Sequence, residues 1–142
     1  RKSRADARAF LHNSTEHLEA LLVAEASRCR DGATVFVAVE SVYSMDGDLC
    51  PLVEVVRASK RHVPKANLCI IVDEAHGAGV YGPQGRGCTA ALGLEQDVSI
   101  RLVTFGKALG SAGAAVLCSD LVKQFLINYA RPLVSDVLGA NI

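Results

Sequence analysis

Lys107 stands alone among small and apolar residues, between Leu102-Val103-Thr104-Phe105-Gly106 and Ala108-Leu109-Gly110-Ser111-Ala112-Gly113. Such neighbours let backbone or a flat ligand approach closely. An amine in this setting is expected to be partly desolvated, which disfavours its charged form. A neutral amine attacks carbonyls and forms a Schiff base. Upstream, Asp73 closes the apolar run Cys69-Ile70-Ile71-Val72, and His76 follows three residues later. A carboxylate there is costly to bury unpaired. It either caps a neighbouring turn or acts as counter-charge to a protonated ring nitrogen. His76 is either a packed or capping residue or a hydrogen-bonding partner for a ligand beside Asp73. Ser44 and Thr104 are hydroxyls at strand-end loops, where turn and ligand roles both stay open.

The surrounding sequence reads as elements that would position these groups. Asn13 to about Arg28 is a helix, with Asn13 as cap, Glu16 answering it, and Leu18, Leu21 and Leu22 as its apolar stripe. Val35 to Val39 is continuously apolar, the mark of a strand buried on both faces. Ser41 to Asp48 is a polar loop. Pro51 suits the first turn of a second helix, Lys60, Arg61 and His62 suit its end, and Pro64 stops it. Leu68 to Val72 is a second buried strand. The glycines from Gly77 to Gly87 mark a long loop, and Ala90 to Leu94 a short helix. Ile100 to Phe105 and Ala114 to Leu117 are further strands. Ser119 can cap a last helix with Leu121, Val122, Phe125, Leu126 and Tyr129 inward, ended by Pro132. This alternation predicts an α/β fold, a mainly parallel sheet flanked by helices. Ligands bind such sheets at the carboxyl ends of the strands, where Ser44, Asp73 and Lys107 fall.

Composition narrows the function. The 142 residues are 50% hydrophobic and 21% charged with zero formal net charge, which is globular. Arg1, Lys2, Arg4 and Arg8 are interrupted by Asp6, and no basic block is long enough to track a nucleic acid. No apolar run approaches the ~18–20 residues that cross a membrane. Cys29, Cys50, Cys69, Cys88 and Cys118 are scattered without a CxxC pair, so reduced structural thiols are expected. Metal ligation is not expected: His12, His17 and His62 show no HExxH spacing, and an EF-hand frame from Asp46 meets Arg57 where it needs glutamate. Gly82 to Gly87 lacks the GK[ST] of a phosphate loop.

Three segments together resemble the α-oxoamine synthases, a branch of the fold-type-I pyridoxal phosphate (PLP) enzymes. Glu40-Ser41-Val42-Tyr43-Ser44-Met45-Asp46-Gly47-Asp48 is similar to the family's ES-x-[FY]-SMDGD stretch. Asp73-Glu74-Ala75-His76-Gly77-Ala78-Gly79 is similar to its D[ED]AH-G-x-G motif, with Gly82-Pro83-Gln84-Gly85-Arg86-Gly87 following. Thr104-Phe105-Gly106-Lys107-Ala108-Leu109-Gly110 is similar to its Schiff-base segment. The resemblance implies that Lys107 forms the Schiff base and later moves protons at Cα, and that Asp73 pairs with the pyridine nitrogen. It implies that His76 bonds the region of the ring 3-oxygen with help from Ser44, and that Thr104 contacts the phosphate. The implied reaction is decarboxylative condensation of an amino acid with an acyl-CoA. The wording around Lys107 points to the biotin-forming branch, which joins L-alanine to a pimeloyl thioester.

The same resemblance makes residues 1–142 the central part of a large catalytic domain. The family's N-terminal segment, with its phosphate loop and stacking histidine, and its C-terminal small domain are expected to be absent. Leu133 to Gly139 does not follow the hydroxyl-rich stretch that the family carries after Arg131. A homodimer in the full-length protein and an intracellular setting, cytoplasmic or organellar, are implied; the chain alone is expected to be inactive. Another α-oxoamine synthase activity, a PLP aminotransferase and a non-catalytic remnant are the alternatives.

Overall fold

Strand β1 (Val35–Glu40) pairs in parallel with β2 (Leu68–Asp73), and β2 in parallel with β3 (Ile100–Thr104). Strand β4 (Ala114–Cys118) runs antiparallel to β3, giving a sheet of order β1-β2-β3-β4. The computed structural model describes residues 5–26 and 28–130. Glu40 lies opposite Asp73, and Asp73 opposite Leu102, so the three parallel strands end at one edge. Their following loops therefore leave from the same side. The reversal at β4 follows from chain length. A parallel crossover needs about a dozen residues or more, and the link 105–113 is too short for one.

Helix α1 (Thr15–Glu25) is capped by Ser14, whose Oγ accepts from His17 N at 3.2 Å. Asn13, expected as the cap, instead takes φ 52° and donates its amide to Asp48 Oδ2 at 2.8 Å. Asparagine tolerates that left-handed backbone, which frees its side chain for the loop. Helix α2 (Leu52–His62) starts after Pro51 and carries Lys60, Arg61 and His62 in its last turn, where cations offset the helix dipole. Glu19 of α1 meets His62 at 2.7 Å and Arg61 at 2.8 Å. These two bonds, His62 foremost, hold its carboxyl below the ordinary value. Leu18 and Leu22 of α1, and Leu52, Val55 and Val56 of α2, form one core with Val37, Val39, Ile70 and Val72. Each such buried side chain contributes about 1.5–3 kcal/mol. Helix α3 (Cys88–Ala91) is a single turn, set two residues earlier than expected. Helix α4 (Asp120–Tyr129) has the expected Ser119 cap.

Two packing expectations are corrected. Strands β1 and β2 bury one face, not two: Phe36 is 60% exposed, and Ala38, opposite Ile71, is exposed too. Both long helices of the core, α1 and α2, cover the other side. Helix α4 shows its apolar stripe to solvent. Leu121, Phe125 and Tyr129 are exposed, while Val122 and Leu126 are half-buried. The Phe125 and Tyr129 rings pack on each other at 4.8 Å, having no apolar element above them among the described residues. Arg1, Lys2 and Arg4, the helix stop at Pro132 and the stretch after Arg131 lie outside the described residues.

The loop from Ser41 to Cys50 folds back on itself. Val42 bridges Leu49, Tyr43 N donates to Asp48 O at 2.9 Å, and Cys50 N donates to Ser41 O at 3.1 Å. Burial pushes the Cys50 thiol from its ordinary 9.0 up to about 11, and burial raises the Tyr43 hydroxyl as well. The unfolded chain releases the Cys50 proton near pH 9, whereas the folded chain keeps it until about 11. The folded state thus holds more protons in that window, and stability falls as pH rises through it. Denaturant titrations of the protein carrying this chain are expected to show that decline, and Cys50→Ala to flatten it. An unchanged slope in the variant would remove Cys50 as its source.

Candidate active site

The site is built from the turns that end β2 and β3. Asp73 closes β2, and its Oδ1 accepts from Ala75 N at 2.8 Å. The carbonyl of Glu74 then accepts from Gly77 N at 3.0 Å and Ala78 N at 2.9 Å, wrapping a tight turn around His76. Thr104 closes β3, and its Oγ1 accepts from Gly106 N at 3.3 Å. The link that follows is locked by Phe105 N to Gly113 O at 2.9 Å, Ser111 N to Phe105 O at 2.8 Å and Gly110 N to Lys107 O at 2.9 Å. Lys107 Nζ and His76 Nε2 lie 2.6 Å apart, within hydrogen-bond distance. Gly79 allows the two loops to meet. A Cβ there would stand 2.7 Å from Ala108 Cβ, and its φ of +82° already favours glycine.

The structure brings Lys107 and His76 into contact and sets Asp73 and Thr104 at the bases of their loops. Ser44 stays apart. It is exposed on the loop after β1, its amide donates to Glu40 Oε2 at 3.3 Å, and among the described residues no hydrogen bond joins it to the other four. Lys107 is exposed, which corrects the expected desolvation. Its small neighbours leave room, but Leu109 is itself 50% exposed and no element roofs the loop among the described residues. Asp73 has the turn role that its position allowed. One carboxylate oxygen serves Ala75, and a carboxylate can accept further bonds. On the open sheet face Asp73 also lines a cavity of about 550 Å³ with Arg8, His12, Tyr43, Ile71 and Leu102. His76 and Lys107 do not line that cavity.

Two contributors were missed by sequence reasoning. Glu74 is 1% exposed and accepts from Ser41 Oγ, Cys88 N, Thr89 N and Thr89 Oγ1 at 2.8, 3.0, 2.7 and 2.6 Å. Strand alternation held the signal: residue 74 continues the phase of Ile70 and Val72, the fully buried side. The second is His12, whose Nε2 lies 2.8 Å from Asp48 Oδ2 and 3.8 Å from Asp46 Oδ2. With Asn13 on the same Asp48 oxygen, it fastens the approach to α1 onto the Ser44 loop. Nothing local in the sequence announces a contact across that separation.

An amine, a carboxylate, an imidazole and a hydroxyl at adjoining strand ends suit a ring that carries a carbonyl, a basic nitrogen and a phosphate. PLP has those groups, and the sheet of α/β type with its loops at one edge is the fold of the PLP-dependent fold-type-I transferases. The sequence matches the aminotransferase class I and II family over residues 3–142. It is 48% identical over 139 residues to an 8-amino-7-oxononanoate synthase of Emericella nidulans, covering 94% of this chain and 34% of that protein. The serine palmitoyltransferase of Sphingomonas wittichii superposes with a TM-score of 0.76 at 38% identity, covering 89% of this chain and 30% of that one. A structure of SPT with its PLP internal aldimine superposes at 0.75 and 35% identity, again covering 89% and 30%. The chain belongs to the aminotransferase class I and II family, within the PLP-dependent α-oxoamine synthases. It spans about a third of the length of these relatives.

Gly79→Ala is expected to force the His76 and Lys107 loops apart and to cost about 1–3 kcal/mol in unfolding free energy. Gly93→Ala is the control: its φ is +67°, and nothing lies within 4 Å of the added methyl. Equal losses at the two positions would show that the Ala108 collision contributes nothing.

Proposed function

We propose that this chain forms the cofactor-binding centre of an α-oxoamine synthase that condenses an amino acid with an acyl-CoA and releases carbon dioxide. The observation that carries this reading is the 2.6 Å contact between Lys107 and His76, on the loops that follow Thr104 and Asp73. Bound PLP supplies an electron sink for a carbanion at the amino acid α-carbon. Lys107 tethers the cofactor and later moves the proton at Cα. Asp73 holds the proton of the ring nitrogen with the carboxylate oxygen that Ala75 does not use. His76 orients the Lys107 amine and bonds the ring-oxygen side, with Ser44 assisting, and Thr104 binds phosphate through its hydroxyl.

The identity to 8-amino-7-oxononanoate synthase supports L-alanine and a pimeloyl thioester as substrates, which would place the reaction in biotin formation. The likeness to serine palmitoyltransferase supports a second reading, with serine and a longer acyl chain. Full-length protein would work as an intracellular homodimer, in which neighbouring segments roof the exposed Lys107 and the open face beside Asp73. Residues 1–142 alone would not turn over, because Lys107 stays in solvent.

The test is expression of the full-length protein with PLP. A visible absorbance band of bound PLP is expected, and Lys107→Ala should abolish it and lower turnover by at least about 10³-fold. A band that survives in Lys107→Ala, or that never forms, overturns the reading. Pairing alanine or serine with acyl-CoAs of graded length then separates the two substrate assignments. Amino-group transfer without acyl-CoA would instead mark an aminotransferase.

A further inference from the structure

We infer that Glu74 is a positioning residue that sets His76 against Lys107, an inference that rests on the functional reading above. Its carboxylate fills a closed pocket between two loop ends. A Cβ on Gly77 would collide with Glu74 Oε2 and stand 2.6 Å from Ser41 Oγ. One on Gly87 would stand 2.7 Å from the Glu74 carboxyl carbon. The glycines on both sides are therefore shaped to admit this side chain.

The four donors come from two separate places. Ser41 follows β1, and the other three belong to Cys88 and Thr89 at the start of α3. The carboxylate thus fastens the far end of the glycine loop to the turn that holds His76. Within the loop, Gly79 N donates to Gly85 O at 2.8 Å and Gly87 N to Tyr81 O at 2.8 Å, so its two arms move together. Gly79 lies so near Ala108, the neighbour of Lys107, that a Cβ on it would stand 2.7 Å from the alanine Cβ. A continuous path of close contacts runs from Glu74 through the glycine loop to the lysine, while the backbone of Glu74 carries the turn around His76. Glutamine fits the same space, but its amide nitrogen brings donors where donors already point. The turn must then shift to relieve them.

The test uses full-length protein carrying Glu74→Gln, Ser41→Ala or Thr89→Val, each checked for cooperative unfolding. The readouts are the His76 Cε1–Hε1 NMR signal in PLP-free protein, its displacement by Lys107→Ala, and PLP affinity. Glu74→Gln is expected to move the His76 signal, shrink the displacement caused by Lys107→Ala, and weaken PLP binding roughly tenfold. Ser41→Ala and Thr89→Val should move that signal the same way by less, and Thr89→Ser, which keeps the hydroxyl, should return it. If the carboxylate serves stability alone, unfolding midpoints drop while the His76 signal stays fixed in every folded variant, and the proposal fails. Should Glu74→Gln not fold, the two hydroxyl variants decide by the same criterion. Wild-type protein that binds no PLP would sink the functional reading, whereas the His76 signal in PLP-free protein would still report on Glu74.

Discussion

A carboxylate that is 1% exposed survives in a protein only when the groups around it are fixed donors. Glu74 meets that demand through parts of the chain far apart in sequence, from Ser41 to Thr89. The demand then reaches outward. It requires glycine at Gly77 and Gly87, because any side chain would enter the carboxylate's space. It fixes the start of α3, where two backbone amides face Glu74. The turn that presents His76 and the glycine loop that passes close to Ala108 are both tied to this one buried group.

The sheet supplies the other half of the arrangement. Parallel pairing of β1, β2 and β3 puts Glu40, Asp73 and Leu102 in one row across the strands. The loops that follow then share an edge without any contact having to pull them together. Antiparallel β4 contributes by bringing the chain straight back, so that Lys107 sits in a short link beside the β2 turn. The core beneath, on the α1 and α2 side, is one continuous apolar cluster, with Ile70 and Val72 fully enclosed. The face that carries Asp73 is the open one, lined by Ile71 and Leu102.

Much of this was legible from residue order. Apolar runs bounded by glycine, proline and polar residues marked all four strands and the long helices, because backbone hydrogen bonding and burial act locally there. Lys107 and Asp73 were legible as polar groups at the ends of such runs. What was not legible depended on three dimensions. Phe36 and Leu121 are as apolar as core residues, and sequence alone does not say which segment covers them. Lys107 lies exposed for the same reason. Ser14 displaced Asn13 as helix cap because Asp48, distant in sequence, claims the asparagine amide. Glu74 was overlooked because a glutamate normally faces water, although the alternation of its strand pointed inward.

The link between β3 and β4 is closed by hydrogen bonds among Phe105, Lys107, Gly110, Ser111 and Gly113, all near neighbours in sequence. Closing so short a stretch costs little chain entropy, and antiparallel hairpins form in about 1–10 μs. The turn around His76 depends instead on a carboxylate whose partners lie 33 residues before it and 15 after it. Contacts of that reach cost more loop-closure entropy than the bonds of the lysine link. The two halves of the site therefore differ in what holds them: the lysine arm is closed by bonds within its own short link, and the histidine arm leans also on partners that the rest of the chain must bring to Glu74.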